Sequence, residues 1–459
     1  MPKAVENPLL SELRAALPSV SIVAPERRHL EDATRVRGLH GRADAVALPR
    51  DVSDVAAAVS WCYDHDVAII PRGGGTGYAG GAVPIDGGVV LCLDRLRTIR
   101  SFDPELWRMH VESGLRTSEV HRLARENGLM FAPDPGAMED SQIGGNVATN
   151  AGGPHTFKYG VTGRWVTGIE AVIPPGEILR IGGAISKDQA AYDLRSLLIG
   201  SEGTLGVITA IWLRLLPAPE AAHPVLAVCD ARSSGCRLIQ HIVASGIVPA
   251  ALEFLDGSAL DVTARAFPGG LLEDARFLVL AEADGSHDEA ARTRDELIET
   301  MSEFSGRLLA PRTASERQAL WKWREGVSPT VAAHVGGKVG EDIVVPLDVL
   351  EEALDSVDAI AARHELTTAT WGHAGDGNIH ANFLIDPNDG GDVGRAEAAA
   401  SELFQLAIAL GGSISGEHGV GRLKRGVLSA QLGDRGMEVH AGIKATFDPK
   451  GLMNPGKKS

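Results

Sequence analysis

The sequence contains little of what marks several common classes of protein. Its 459 residues include only 4 cysteines, and Cys62, Cys92, Cys229 and Cys236 show no CxxC spacing. This pattern argues against an iron–sulfur cluster or a zinc finger, so reduced thiols in the core are expected. A chain of this length is too long for one core and should form two or three domains.

Long apolar runs are also missing. The N-terminus, MPKAVENPLLSELRAAL, places Glu6 and Glu12 in what would have to be the apolar part of a signal peptide. No uninterrupted apolar run approaches the roughly 20 residues of a membrane-spanning helix, so we expect no transmembrane segment and a cytoplasmic protein. The formal net charge of −16, without an evident basic patch, argues against nucleic acid or an anionic membrane surface as a partner.

The chain is organised around a glycine-rich stretch, VAIIPRGGGTGYAGG, at residues 67–81. A strand at residues 67–70 is expected to end at Pro71 and to lead into glycines whose backbone amides can approach a ligand closely. The stretch contains GxGxxG, but Pro84 and the Asp86-Gly87-Gly88 turn leave no room for the helix that a dinucleotide fingerprint requires. By itself, the stretch leaves a diphosphate-binding loop and ordinary tight turns equally open.

Other segments indicate the organisation of the rest of the chain. A strand is predicted at Ala45–Leu48 and a helix after Asp51, and further glycine-rich segments occur at residues 131–153 and 200–206. The Pro217-Ala218-Pro219 segment is interpreted as a linker. From Pro224 onward, strands alternate with longer amphipathic helices, which predicts an antiparallel sheet with helices on one face.

Two segments of the second half carry candidate metal ligands. In WGHAGDGNIHANF, a glycine turn separates His373 from His380, and His380 shares one face of the following strand with Asn382. In SGEHGVGRLKR, Glu417 and His418 are adjacent. Two imidazoles and a carboxylate suit a catalytic divalent metal that keeps positions open for water or substrate. The spacing is not HExxH, so ordinary hydrogen-bonded or surface histidines remain the alternative.

A third segment, WKWREGVSPTVAAHVGGK, supplies Arg324 and Lys338 as candidate anion-binding groups. An arginine can hold a carboxylate through two parallel hydrogen bonds and so orient a small acid. An exposed arginine on an amphipathic helix is the alternative. Ser201 lies in IGSEG, which is not the GxSxG of a nucleophile elbow, so a serine hydrolase is not expected.

With these motifs, the sequence resembles the FAD-linked D-2-hydroxyacid dehydrogenases of the vanillyl-alcohol-oxidase flavoprotein superfamily. That group includes D-lactate dehydrogenases, the catalytic subunit of glycolate oxidase and D-2-hydroxyglutarate dehydrogenases. The resemblance extends from about Leu39 to Lys457. It rests on these segments in this order: PRGGGTGYAGG, IGGNVATNAGG, KYGVTG, LIGSEGTLGVIT, GHAGDGNIH, GEHGVG and GLMNPGK.

The resemblance implies an α+β fold, with a two-lobed FAD-binding domain of the vanillyl-alcohol-oxidase type and an α+β substrate (cap) domain built on an antiparallel sheet. The expected boundaries are 1–217 for the FAD-binding domain, with its core at 39–217, and 218–420 for the substrate domain. A C-terminal segment, 421–459, is expected to return to the FAD domain.

The resemblance also implies which residues bind FAD. They are Pro71, Arg72, Gly73, Gly74, Gly75, Thr76, Gly77, Gly80, Gly81, Pro135, Gly136, Gly144, Gly145, Asn146, Thr149, Gly152, Gly153, Glu202, Gly203, Ile208 and Asn454. Covalent flavin in this superfamily commonly uses a histidine in the glycine loop, where this chain has Tyr78. The FAD is therefore expected to be non-covalent.

By the same resemblance, His373, His380 and Glu417 bind a divalent metal, which is zinc, manganese or iron. Arg324 matches the carboxylate-binding arginine of the family, and Lys338 matches the nearby lysine. Asn382 matches a substrate-site amide, and His418 matches the proposed base.

The activity implied is the oxidation of a D-2-hydroxy acid to the 2-oxo acid, with metal-assisted hydride transfer to flavin N5. D-lactate is favoured because the sequence shows no evident second cationic site for a distal carboxylate. The alternative substrates are glycolate and D-2-hydroxyglutarate. The alternative functions are a non-catalytic flavin-binding subunit of a dehydrogenase complex and a nicotinamide dehydrogenase. The expected electron acceptor is an electron-transfer flavoprotein, a cytochrome, a quinone or oxygen, and a homodimer stays open.

Overall fold

The computed structural model describes residues 7–270, 275–386 and 388–458, so Glu6 lies outside the described residues. The chain divides into two compact units. The first unit contains the chain up to Ala151, then Val161–Ala218, and the chain from Glu417 onward. The second unit contains Gly152–Gly160 and Pro219–Gly416.

The helices and strands are numbered in chain order. Up to Pro217 they are α1 (Pro8–Ala16), β1 (Ser21–Val23), α2 (Arg27–Leu30), β2 (Ala45–Leu48), α3 (Val52–Asp64), β3 (Ile69–Arg72), β4 (Val89–Cys92), β5 (Ile99–Asp103), β6 (Arg108–Glu112), α4 (Thr117–Glu126), β7 (Leu129–Met130), α5 (Ile143–Thr149), α6 (Thr156–Tyr159), β8 (Val166–Ile173), β9 (Glu177–Gly182), α7 (Leu194–Leu198), β10 (Val207–Arg214) and β11 (Leu216–Pro217). Beyond Pro217 they are β12 (Ala221–Cys229), α8 (Arg232–Ala244), β13 (Ala251–Asp256), α9 (Gly257–Thr263), β14 (Phe277–Gly285), α10 (His287–Ser302), β15 (Arg307–Leu309), α11 (Ala314–Glu325), α12 (Val327–Val335), β16 (Gly337–Val344), α13 (Leu350–Arg363), β17 (Thr367–His373), β18 (Asn378–Ile385), α14 (Gly390–Ala409) and α15 (Leu428–Phe447).

The first unit contains a four-stranded sheet in the order β1-β2-β4-β3 and a five-stranded sheet in the order β5-β6-β10-β8-β9. In the four-stranded sheet, β2 and β3 both pair with β4 in parallel, whereas the five-stranded sheet is antiparallel. The predicted strand at Ala45–Leu48 is confirmed, and the Asp51 side chain caps α3 by accepting a hydrogen bond from the N–H of Asp54.

The prediction that Pro71 ends its strand is wrong, because β3 continues through Pro71 to Arg72. A proline cannot donate a backbone hydrogen bond and is tolerated where a strand lies at the edge of a sheet. β3 is such an edge strand, paired along its length with β4. On its other side, Ile69 forms a bridge with Met453, so the C-terminal tail extends this sheet.

The second unit contains one antiparallel sheet of seven strands in the order β15-β12-β14-β13-β17-β18-β16, which confirms the predicted antiparallel sheet. The expectation that helices cover one face is wrong, because helices pack on both faces. One face packs against α9, α11 and α12, where Leu255 and Trp371 share a buried cluster with Trp323. The other face packs against α8, α10, α13 and α14.

Two further expectations can be compared with the structure. All four cysteines are buried and free, as predicted. Within the described residues, no helix combines the length and the apolar character needed to span a membrane.

Replacing Phe254 with Ala should destabilise the second unit. Phe254 is fully buried, and its ring stacks on that of Phe277 with centroids 5.4 Å apart. A Phe→Ala change in such a core costs about 3–5 kcal/mol. Hydrogen exchange of the β13 and β14 amides should report this loss, since a two-unit chain does not have one global unfolding free energy. Val248→Ala, at a side chain that is 54% exposed, should change the same amides by less than about 0.5 kcal/mol. Equal effects of the two changes would contradict the assignment of Phe254 to the core.

Candidate active site and cofactor loops

Four neighbouring strands of the second unit bring polar side chains to one face of the seven-stranded sheet. In the register of these strands, Glu253 of β13 lies opposite His373 of β17, and Asp342 of β16 lies opposite His380 of β18. Side chains alternate between the two faces of a strand, so His373 shares a face with Trp371, and Glu253 with Leu255. This is the face that packs against α9, α11 and α12.

The two histidines lie beside each other on this face. Their Nε2 atoms are 3.3 Å apart, and both side chains are buried. One ligand atom of each histidine and one carboxylate oxygen of Glu417 all lie within 4.8 Å of one another. Donors on a tetrahedral zinc at 2.0–2.2 Å are about 3.4 Å apart. The donor set, two imidazoles and a carboxylate, is therefore of the kind that holds a divalent metal, although its atoms are farther apart than in a metal-bound site.

The residues next to Glu417 are held by a buried carboxylate. The backbone N–H of Gly416 donates to Asp342 Oδ2 over 2.6 Å, and the Ser415 hydroxyl lies 3.3 Å from Asp342 Oδ1. Asp342 itself is fully buried. Because Glu417 follows Gly416 directly, this contact fixes the start of the loop that carries Glu417 beside β16.

Glu253 is the central residue that the sequence analysis missed. Its side chain is fully buried, and its carboxylate accepts hydrogen bonds from Nδ1 of His373 over 2.6 Å and from the guanidinium of Arg324. Burial alone would raise the pKa of the Glu253 carboxyl, but His373 and Arg324 outweigh burial and hold the pKa below its usual value. A signal was present, since a glutamate within the buried strand ALEFLD is unusual unless it has a charged partner.

The predicted cation Arg324 lies in the last turn of α11 and is 7% exposed, which excludes the alternative of an ordinary exposed arginine. Its guanidinium binds Glu253 through Nη2. Its Nε is buried and has no hydrogen-bond partner among the described residues. A buried N–H without a partner carries a free-energy cost, so this donor remains available for an anionic ligand.

Lys338 is enclosed by polar and aromatic groups. Its Nζ donates to Ser328 Oγ over 2.9 Å and to Asn382 Oδ1 over 2.7 Å, and it lies 4.5 Å from the centroid of the Trp371 ring. Desolvation of the ammonium group lowers the pKa of Lys338 to about 7. Near neutral pH, Lys338 is therefore close to the point at which it loses its proton. A bound anion would favour the charged form of the lysine.

The Asn382 amide makes its hydrogen bonds within the sheet. Its Nδ2 donates to the carbonyls of Ala369 and His380, each over 3.0 Å, and its Oδ1 accepts from Lys338. Asn382 thus fixes the position of Lys338, and its role as a substrate-site amide stays a prediction. The glycine opposite it, Gly340, is needed because an added Cβ would lie 2.6 Å from Asn382 Oδ1.

In the first unit, His418 stacks on Tyr78 of the glycine-rich stretch, with ring centroids 4.8 Å apart. Its Nε2 is 4.0 Å from Glu417 Oε1. The loop after His418 is held by Glu202, whose carboxylate accepts from the N–H groups of Val420 over 2.9 Å and Gly421 over 2.6 Å. Glu202, predicted as a cofactor residue, therefore also orients the loop that carries the proposed base.

The glycine-rich segments of the first unit lie against one another. A Cβ added to Gly74 would lie 2.4 Å from the Asp140 carbonyl oxygen, and one added to Gly73 would lie 3.6 Å from Gly145. Gly75 has a φ of +68°, and a Cβ there would lie 2.0 Å from the Arg72 guanidinium, which donates to the Glu31 carbonyl. Gly74 is thus required by close packing and Gly75 by its backbone conformation, whereas a Cβ at Gly73 would make an ordinary contact.

The structure also shows features that fit a large polar ligand at these loops. Three buried side-chain oxygens near the glycine segments lack hydrogen-bond partners among the described residues: Ser113 Oγ, Gln142 Oε1 and Ser201 Oγ. A Cβ added at Gly77, Gly136 or Gly145 would meet no protein atom within 4 Å. Orphaned polar atoms beside open glycine backbone are what a dinucleotide cofactor would satisfy.

The other predicted cofactor residues have varied surroundings. The Asn146 amide donates to Thr117 Oγ1, the Thr149 hydroxyl to the Gly145 carbonyl, and the Asn454 amide to the carbonyls of Gly81 and Glu202. Ile208 is buried in β10. Gly152 and Gly153 lie in the second unit, and the remaining positions, Thr76, Gly80, Pro135, Gly144 and Gly203, lie in the first.

Both halves of the chain match known protein families. Residues 43–182 match the family model described as FAD binding domain, and residues 218–458 match the model described as FAD linked oxidases, C-terminal domain. The chain is 37% identical to the glycolate oxidase subunit GlcD of Bacillus subtilis, covering 90% of this chain and 88% of that protein. It is 32% identical to a D-lactate dehydrogenase of Anaerostipes hadrus, covering 91% and 90%, and 34% identical to a D-2-hydroxyglutarate dehydrogenase of Xanthomonas citri, covering 90% and 88%.

Among solved structures, a p-cresol methylhydroxylase with bound substrate superposes with a TM-score of 0.82 at 15% identity, covering 98% of this chain and 96% of that one. A 4-ethylphenol oxidase from Gulosibacter chungangensis gives 0.75 at 17% identity, covering 99% and 93%. At such low identity the likeness concerns the fold alone, which is the predicted α+β fold of the vanillyl-alcohol-oxidase type. The chain belongs to the FAD-linked oxidases and is an FAD-linked oxidoreductase.

Proposed function

We propose that this protein oxidises a small D-2-hydroxy acid, with D-lactate favoured, to the 2-oxo acid and passes the two electrons to FAD. The observation that carries the proposal is the set of donors formed by His373, His380 and Glu417. The two histidines lie on a sheet face that also carries Lys338 and packs against the helix of Arg324. Relatives are named for glycolate, D-lactate and D-2-hydroxyglutarate, which are all 2-hydroxy acids.

The chain's own residues have distinct roles in this proposal. Arg324 and Lys338 supply positive charge that holds the substrate carboxylate, since charge-assisted hydrogen bonds orient as well as bind an anion. His373, His380 and Glu417 would hold a zinc, manganese or iron ion, which supplies Lewis-acid polarisation of a bound oxygen. His418 takes the hydroxyl proton on a ring nitrogen. Bound FAD would supply the hydride acceptor, N5 of the flavin, for the C2 hydrogen of the substrate.

The cofactor residues predicted from the resemblance form the second part of the proposal. Backbone amides of Gly73–Gly77 and of Gly144–Gly145 would approach the FAD diphosphate, with the orphaned oxygens of Ser113, Gln142 and Ser201 as further contacts. Tyr78 occupies the loop position at which a histidine would attach flavin covalently, so FAD is held non-covalently.

The proposal is tested by mixing the purified protein anaerobically with D-lactate, L-lactate, glycolate and D-2-hydroxyglutarate and recording flavin absorbance. D-lactate should bleach the flavin band, L-lactate should not, and treatment with a chelator should abolish bleaching without releasing FAD. If only glycolate or only D-2-hydroxyglutarate bleached the flavin, that acid would be the substrate in place of D-lactate. A flavin band that none of the acids bleaches would favour a non-catalytic flavin-binding subunit, and colourless protein would contradict the FAD assignment.

Replacing Gly145 with Ala should weaken FAD binding about tenfold or more, because the added methyl group enters space that no protein atom fills. Fluorescence titration of the apoprotein with FAD measures this affinity. Gly442→Ala provides the control, since an added Cβ there is also free of contacts within 4 Å and lies in α15. That control should leave FAD affinity unchanged. Equal FAD affinity for the two variants would remove Gly145 from the proposed cofactor site.

Replacing His418 with Ala should lower the rate of flavin reduction by about a hundredfold to ten-thousandfold, the usual contribution of a general base. Stopped-flow measurement of flavin bleaching gives this rate, and the FAD content should stay at the level of the unaltered protein. His65→Ala, at an exposed position of the first unit, should reduce flavin at the original rate. An unchanged rate in the His418 variant would exclude this residue as the base.

A further inference from the structure

We propose that Glu253 is a positioning residue for the metal site and acts through His373. This inference rests on the proposed function, because it concerns the ion that His373, His380 and Glu417 would hold. Glu253 lies outside every segment that carried the family resemblance, and it binds both a proposed metal ligand and the proposed carboxylate-binding arginine.

The contacts of Glu253 use both carboxylate oxygens. Oε1 accepts from Nδ1 of His373 over 2.6 Å, and Oε2 accepts from Nη2 of Arg324. His373 is opposite Glu253 in the strand register, so the backbones of β13 and β17 hold the two side chains at this distance. No surface of Glu253 is exposed to solvent, and water therefore cannot replace either partner.

These contacts determine the tautomer of His373. An ionised carboxylate only accepts hydrogen bonds, so Nδ1 must carry a proton. The lone pair of a neutral imidazole is then on Nε2, the atom that lies 3.3 Å from Nε2 of His380. The carboxylate also fixes the plane of the ring and makes the imidazole a stronger donor to a metal. Glu253 thereby prepares His373 to act as a ligand before any ion arrives.

Arg324 contributes to this arrangement by keeping the carboxylate charged. A lone carboxylate would be costly at a fully buried position, and the guanidinium compensates it. The same bond holds one edge of Arg324, whose Nε lacks a partner among the described residues. A single side chain therefore orients one residue proposed to bind metal and one proposed to bind the substrate carboxylate.

A second buried carboxylate in the same sheet serves as a matched comparison. Glu282 of β14 is 6% exposed and accepts from Nε1 of Trp321 over 2.6 Å, and its Oε1 lies 3.2 Å from Nε2 of His155. It thus shares burial, strand environment and a histidine partner with Glu253. His155 is not among the residues of the metal-ligand group, so Glu282 reports the effect of losing a buried carboxylate in this sheet without acting on a ligand.

The test measures the dissociation constant of Zn²⁺ alone for the FAD-loaded protein, by competition with a chromogenic chelator. Glu253→Gln keeps the shape of the side chain but removes its charge, and it should weaken Zn²⁺ binding about 10- to 100-fold, as loss of such a partner usually does. Glu282→Gln should change the constant by less than about twofold. Flavin content and circular dichroism should match the unaltered protein in both variants.

A double-mutant comparison separates positioning from a general loosening of the sheet. In a His380→Ala background, Glu253→Gln should still weaken Zn²⁺ binding, because His373 remains a ligand. In a His373→Ala background it should have no further effect. Equal losses in both backgrounds, or none in the single variant, would overturn the positioning role while leaving the metal site intact. Absence of Zn²⁺ binding by the unaltered protein would instead overturn the metal site, and this inference with it.

Discussion

The candidate site depends on pairing polar groups that lie on a buried face of a sheet. Leaving a buried polar group without a partner costs about 1–3 kcal/mol, and an uncompensated buried charge costs more. Glu253 is balanced by Arg324 and His373, and Asn382 is saturated by Lys338 and two carbonyls. Each group is held by its neighbours, so the geometry is fixed before a ligand binds. Such preorganisation lets an active site bind an ion and a small acid without paying to reorganise.

In the first unit, the structure depends instead on the close approach of neighbouring backbone segments. The glycine segments around Gly74, Gly144 and Gly203 lie where an added Cβ would come within about 3 Å of the neighbouring chain. The Arg72 guanidinium and the Asn454 amide donate to backbone carbonyls of this unit. Polar side chains thus stabilise the loops through backbone carbonyls, and a Cβ added at Gly77, Gly136 or Gly145 would meet no protein atom within 4 Å. This division of roles explains why many predicted cofactor residues bind the protein through their side chains.

The elements with strong local signals could be predicted from the sequence. The strand at Ala45–Leu48, the helix capped by Asp51 and the antiparallel sheet of the second half were found from periodicity and capping alone. The strand through Pro71 was misjudged because its edge position depends on the order of strands, which no local pattern reveals. The helices on the second face of the sheet were missed for a similar reason. Nothing in the residues around His155 indicated that this short segment joins the second unit.

The sequence by itself determined the chemistry that was available. Its glycine-rich segments and paired histidines are local features, and their order along the chain carried the family resemblance. Only the tertiary structure decided which of these groups meet. Glu253 and His373 are 120 positions apart, and they are in contact because β13 and β17 are neighbours in one register. Strand neighbours are chosen by the packing of the whole sheet and its helices, so the partner of a residue so distant along the chain cannot be read from the residues around it.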